Sequence, residues 1–130
     1  MSWKRENRKG VTFIELLTVV VIIGLLSVFA LPRMARNKEK ASIATMESDL
    51  RNLATAEESY YYNNSIYTID QIALNITLSA GNTLVINEAT PAGWSATISH
   101  TPAVTQNCYL FHGSATPVGS STTEGVIDCS

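Results

Sequence analysis

From Val11 to Leu31 the chain reads VTFIELLTVVVIIGLLSVFAL, an apolar run whose only charge is Glu15. At about 1.5 Å of rise per residue, the run makes about 31 Å of helix, enough to cross the hydrocarbon core of a bilayer. Beyond Pro32 the apolar positions thin to a stripe. Ile43, Met46, Leu50, Leu53 and Tyr60 recur at helical spacing, interrupted only by Glu57. The pattern predicts one long helix over 11–62, ending at the polar Asn63, Asn64 and Ser65. Pro32 has no backbone N–H and disfavours helical geometry at Leu31, so a kink or local melting is expected there. Gly24 weakens the same segment.

The second half changes period. Thr83–Asn87 follows a Gly-Asn turn signal, Trp94–His100 follows Pro91-Ala92-Gly93, and Cys108–His112 precedes Gly113, which predicts three strands with room for a fourth. Tyr67–Ala80 reads as a connecting loop with a short helical or extended piece, and Ser114–Gly125 as a surface loop. A helix stripe needs a surface to pack on, and an antiparallel sheet supplies it. The expected fold class is α+β: a long N-terminal helix, membrane-spanning in its first half, on a small sheet-bearing head. The expected parts are a leader over 1–10, a membrane helix over 11–32, an amphipathic continuation over 33–62 and a head over 63–130.

Charge orients the chain. Lys4, Arg5, Arg8 and Lys9 against the single Glu6 place the leader in the cytoplasm by the positive-inside rule, so the head is translocated. Cys108 and Cys129 then meet an oxidising compartment and are expected to pair. The net charge of −2 hides a division, because no Lys or Arg follows Arg51 while Glu57, Glu58, Asp70, Glu88, Glu124 and Asp128 do. A head without a basic face is a poor nucleic-acid binder by itself. Arg33, Arg36, Lys38, Lys40 and Arg51, interleaved with Glu39, Glu47 and Asp49, read either as a solvated helix surface or as a subunit contact.

A carboxylate at hydrocarbon depth is costly and needs a polar partner, which makes Glu15 a candidate functional residue. The segment is not a secretory signal peptide, whose apolar region is shorter and is followed by a small-residue cleavage site. The string Lys9-Gly10-Val11-Thr12-Phe13-Ile14-Glu15 resembles the processing site of type IV prepilins and type II secretion pseudopilins. The resemblance implies cleavage between Gly10 and Val11, methylation of the new N-terminus at Val11, assembly roles for Thr12 and Glu15, and helix-weakening positions at Gly24 and Pro32. Family members usually begin with Phe where this chain has Val11. Cleavage would create an amine near the depth of Glu15, which the carboxylate meets within its own helix or on a staggered neighbour; the resemblance favours the neighbour.

Catalytic constellations are thin: His100, His112, Asp70 and Asp128 are too generic to form a recognisable triad or metal site. No enzyme activity, cofactor or metal is expected. Tyr60, Tyr61, Tyr62 and Tyr67 cluster at the helix end as core and loop packing, with at least one ring outward. Asn63-Asn64-Ser65 and Asn75-Ile76-Thr77 match the glycosylation acceptor pattern. By resemblance the chain is a structural subunit, held in the inner membrane with its head in the periplasm and polymerised with its own copies into a surface fimbrium for adhesion, motility or uptake. The implied partners are a prepilin peptidase and N-methylase and an assembly platform with its ATPases. The alternatives are a type II secretion pseudopilin forming a periplasmic piston, and a single-pass membrane adhesin that never polymerises and keeps its leader.

Overall fold

The computed structural model describes residues 10–101 and 105–130. Helix α1 spans Phe13–Asn64 and is followed by four strands: β1 at Asn82–Thr90, β2 at Gly93–His100, β3 at Asn107–Gly113 and β4 at Asp128–Cys129. Hydrogen-bonded helix continues through Pro32. The expected local melting is therefore not found, because a proline removes only its own donor and the neighbouring turns hold the backbone helical. The chain divides into two compact units, up to Arg36 and from Asn37 onward.

Among the described residues, the first unit is an apolar helix with its side chains exposed. Every large apolar side chain from Val11 to Met34 is exposed. Its hydroxyls are satisfied internally: Thr18 Oγ1 donates to the Ile14 carbonyl and Ser27 Oγ to that of Ile23, each at 2.7 Å. Such back-bonding removes the cost of placing a hydroxyl in hydrocarbon.

In the second unit the strands form a meander in the order β1-β2-β3-β4, all antiparallel. A bulge at Asn87 lets the pairing pass from Ile86↔Ala96 to Glu88↔Ser95. Strand periodicity puts Leu84, Ile86, Trp94, Ala96, Ile98, Cys108 and Leu110 on one face, where they join Met46, Leu50 and Leu53 of the stripe in one buried cluster. Ile43 and Tyr60 pack at its margin.

The opposite face has a smaller apolar patch. Phe111 is buried there, paired with a fully buried Ser95. The stretch after β3 covers it: Ser114 N–H donates to the Ala92 carbonyl at 3.0 Å, Thr116 N–H to Glu88 Oε2 at 2.9 Å, and Ala115 is buried. The predicted surface loop over 114–125 is thus partly a cover for the sheet. Gly113 starts it with φ +67°, where a Cβ would collide with the Ala92 carbonyl. The Cys108–Cys129 disulfide then binds β4 to β3.

Two carboxylates read as surface or as interruptions are interior. Asp49, expected on a solvated face or at a subunit contact, is buried and accepts from Ser79 N–H at 2.8 Å, Ser79 Oγ at 3.0 Å and Asn82 Nδ2 at 2.7 Å. It fastens the helix to the entry of β1. Glu57 is fully buried, with Oε2 accepting from Thr68 N–H at 3.1 Å.

Candidate functional site

The N-terminal end of α1 is where the sequence concentrates its chemistry. Thr12 precedes the first helical residue, and its carbonyl accepts the Leu16 N–H at 3.1 Å. Thr12 Oγ1 accepts the Glu15 N–H at 3.3 Å. Glu15 Oε2 accepts from Thr12 N–H at 2.8 Å and Thr12 Oγ1 at 2.9 Å. This reciprocal exchange is a capping box: it satisfies donors that a helix start leaves without intrahelical partners and sets a negative charge at the positive end of the macrodipole. Within one chain, then, the partner of Glu15 is Thr12. The threonine–x–x–glutamate spacing at the head of an apolar run carried that signal, and reading Glu15 only as an unpaired membrane charge passed over it.

Gly10 and Val11 lie just ahead of the cap in irregular, exposed backbone. A Cβ on Gly10 would meet nothing within 4 Å. Gly24 and Pro32 both lie inside α1. The basic residues Lys4, Arg5, Arg8 and Lys9 lie outside the described residues.

A second polar cluster, not anticipated from the sequence, ties the head together. Tyr67 Oη donates to Glu58 Oε1 at 2.9 Å. His112 lies between two carboxylates, with Nε2 at 3.4 Å from Glu58 Oε1 and Nδ1 at 3.3 Å from Glu124 Oε1. Glu124 Oε1 also accepts the Gly113 N–H at 2.7 Å. Tyr67 stacks on Tyr61 with centroids 4.6 Å apart, whereas Tyr62 is exposed. Burial, together with the bond to the Glu58 carboxylate, raises the Tyr67 hydroxyl to about 12. These contacts join helix, connecting loop, β3 and the C-terminal loop, and leave the apolar helix with its capped start as the feature that exceeds what folding requires.

Comparison with known proteins agrees with this reading. Residues 5–31 match the prokaryotic N-terminal methylation motif. The type II secretion system core protein G of Vibrio cholerae is 39% identical over 69 residues, covering 52% of this chain and 47% of that protein. The Klebsiella pneumoniae protein of the same name is 35% identical over 75 residues, 58% of this chain and 54% of the relative. The type IV wide pilus major component PilA4 of Thermus thermophilus is 34% identical over 69 residues, 53% of each chain. The chain spans about half the length of these relatives. With a methylation motif leading directly into a capped apolar helix and an α+β head behind it, the chain is similar over about half of its length to type II secretion core G proteins and to a type IV pilus component.

Proposed function

We propose that this chain is a non-catalytic filament subunit, anchored in the inner membrane by its apolar helix, cut between Gly10 and Val11, methylated at Val11 and polymerised with its own copies. The observation that carries the reading is the uncovered apolar helix starting at the Thr12–Glu15 cap, one residue past the exposed Gly10–Val11 bond. A helix apolar all round is stable only where lipid or other helices surround it. In the membrane lipid does so, and in a filament the helices of other copies do.

Glu15 links the two states. Thr12 holds one of its oxygens, and the second is then available to the methylated amine of a neighbouring Val11, which is itself a buried charge in need of a partner. Gly24 and Pro32 serve as weak points at which the helix adjusts when packed. The partners in this scheme are a prepilin peptidase and N-methylase and a membrane assembly platform.

A surface pilus is the first form of this function, supported by the likeness to the wide-pilus component and by the disulfide that fastens the C-terminal strand. A periplasmic pseudopilus is the second, supported by the likeness to the core protein G relatives. Mass spectrometry of the N-terminal peptide from native cells tests the shared part: the expected species starts at Val11 with one added methyl group. An intact leader would instead favour a single-pass adhesin. Recovery of the chain from fibres sheared off the cell surface separates pilus from pseudopilus. Glu15→Val with undiminished polymer would remove the role given to that carboxylate.

A further inference from the structure

The apolar part of α1 ends on two arginines. Leu31 closes the run, and Arg33 and Arg36 follow it about one helix turn apart, so their side chains share a face. Both are exposed, as is Met34 between them. Neither forms an ion pair among the described residues, whereas Arg51 holds Glu47 at 3.2 Å. Lys38 and Lys40 come next in the sequence, against Glu39 alone.

Their position along the helix supplies a ligand. Phe13, the first helical residue, lies twenty residues before Arg33. At about 1.5 Å per residue that is about 30 Å, the thickness of the hydrocarbon core of a bilayer. A helix with Arg33 at one face of the core therefore has Phe13 at the other. The Thr12–Glu15 cap then falls at the far boundary, and the exposed Gly10–Val11 bond just past it. With the leader on the cytoplasmic side, Arg33 and Arg36 stand among the headgroups of the opposite leaflet. Phosphate lies at that depth, and a guanidinium holds phosphate through parallel N–H donors.

We infer that Arg33 and Arg36 bind the phosphates of anionic phospholipids at the outer face of the inner membrane, and thereby hold the Gly10–Val11 bond at the cytoplasmic surface where it is cut. They are positioning residues, acting on the bond through the length of α1. Hydrogen-bonded helix through Pro32 carries their position to the far end. Cleavage removes Lys4, Arg5, Arg8 and Lys9, after which every Lys and Arg near the span lies on its C-terminal side. The cut subunit is then held electrostatically at that end alone, and its other end is free to leave the cytoplasmic surface. The inference rests on the membrane anchoring and cleavage proposed above.

The test uses the full chain. In native cells, Arg33→Gln with Arg36→Gln is expected to slow removal of the leader about tenfold in pulse–chase labelling, while Arg33→Lys with Arg36→Lys, which keeps the charge, stays within about threefold of wild type. A topology effect has the opposite sign, because fewer cations outside strengthen the bias set by the leader. Unchanged membrane-fraction levels and an intact Cys108–Cys129 bond serve as folding controls. The purified precursor is also labelled at Asn37→Cys, its native cysteines being paired, and placed in phosphatidylcholine vesicles. Adding phosphatidylglycerol to the vesicles is expected to shield the label from an aqueous quencher, adding inorganic phosphate to the buffer is not, and the Gln pair should lose the response. Cleavage of the Gln pair at the wild-type rate, or a label equally exposed with and without phosphatidylglycerol, would overturn the lipid contact and leave the filament reading intact. A wild-type chain that keeps its leader in native cells would overturn the processing on which both rest.

Discussion

Glu57 is held in the head core by Thr68, whose N–H donates to Oε2 at 3.1 Å, while Oε1 is buried with no partner among the described residues. Burial pushes its carboxyl from the ordinary 4.5 to about 7, more than the Thr68 bond pulls it down, and the neighbouring Glu58 charge adds to the rise. A carboxyl that is more basic when folded binds its proton preferentially in the native state. Its contribution to stability is complete below about pH 4.5 and is lost as pH rises through about 7. The loss is on the order of 3 kcal/mol. Thermal unfolding of the full chain in detergent between pH 5 and 8 should show this fall, and Glu57→Gln, which keeps an acceptor for Thr68, should flatten it. An equally steep fall in the Gln variant would place the titration elsewhere.

Asp49 is the opposite case, a buried carboxylate whose bonds are made. Asp49→Ala leaves the Ser79 N–H, the Ser79 hydroxyl and the Asn82 amide without their acceptor, and is expected to cost about 2–4 kcal/mol. Asn82 Oδ1 also accepts from His100 Nδ1 at 2.6 Å, so the damage should extend to the β1–β2 pairing. Amide exchange should therefore quicken at Ser79 and along β1 and β2, with β3 and β4 less affected.

The cysteines close a loop of sequence separation 21 around the cover of the outer sheet face. Replacing Cys108 and Cys129 together by serine should lower head stability by about 3 kcal/mol on the chain-entropy account. Because β4 has only two residues, it should fray first, freeing Asn107 from its backbone exchange with Ser130 at 3.0 Å in each direction. Protease cleavage confined to the segment after Gly113 is the expected signature.

Gly113→Ala tests the start of that segment. At φ +67° an alanine is strained, and its Cβ meets the Ala92 carbonyl, so a loss of about 1–3 kcal/mol is expected. Chemical denaturation read at Trp94, which is packed in the core at the paired strand end, would report it.

Local pattern determined much of this protein. An uninterrupted apolar run, a stripe at helical spacing and short alternating segments between Gly and Pro signals were enough for the long helix, the antiparallel sheet and the cysteine pair, because each depends on near neighbours in sequence or on composition alone. The processing motif was likewise legible in seven consecutive residues, Lys9 to Glu15. The Thr12–Glu15 cap was also within reach of a local reading, lying three residues apart.

The tertiary structure decided which charges are buried. Asp49 and Glu57 sit among helix residues of mixed polarity, and nothing nearby marks one as fully bonded and the other as half bonded; their partners arrive from Ser79, Asn82 and Thr68. Burial depends on how distant segments close against one another, and periodicity within a segment carries no record of that.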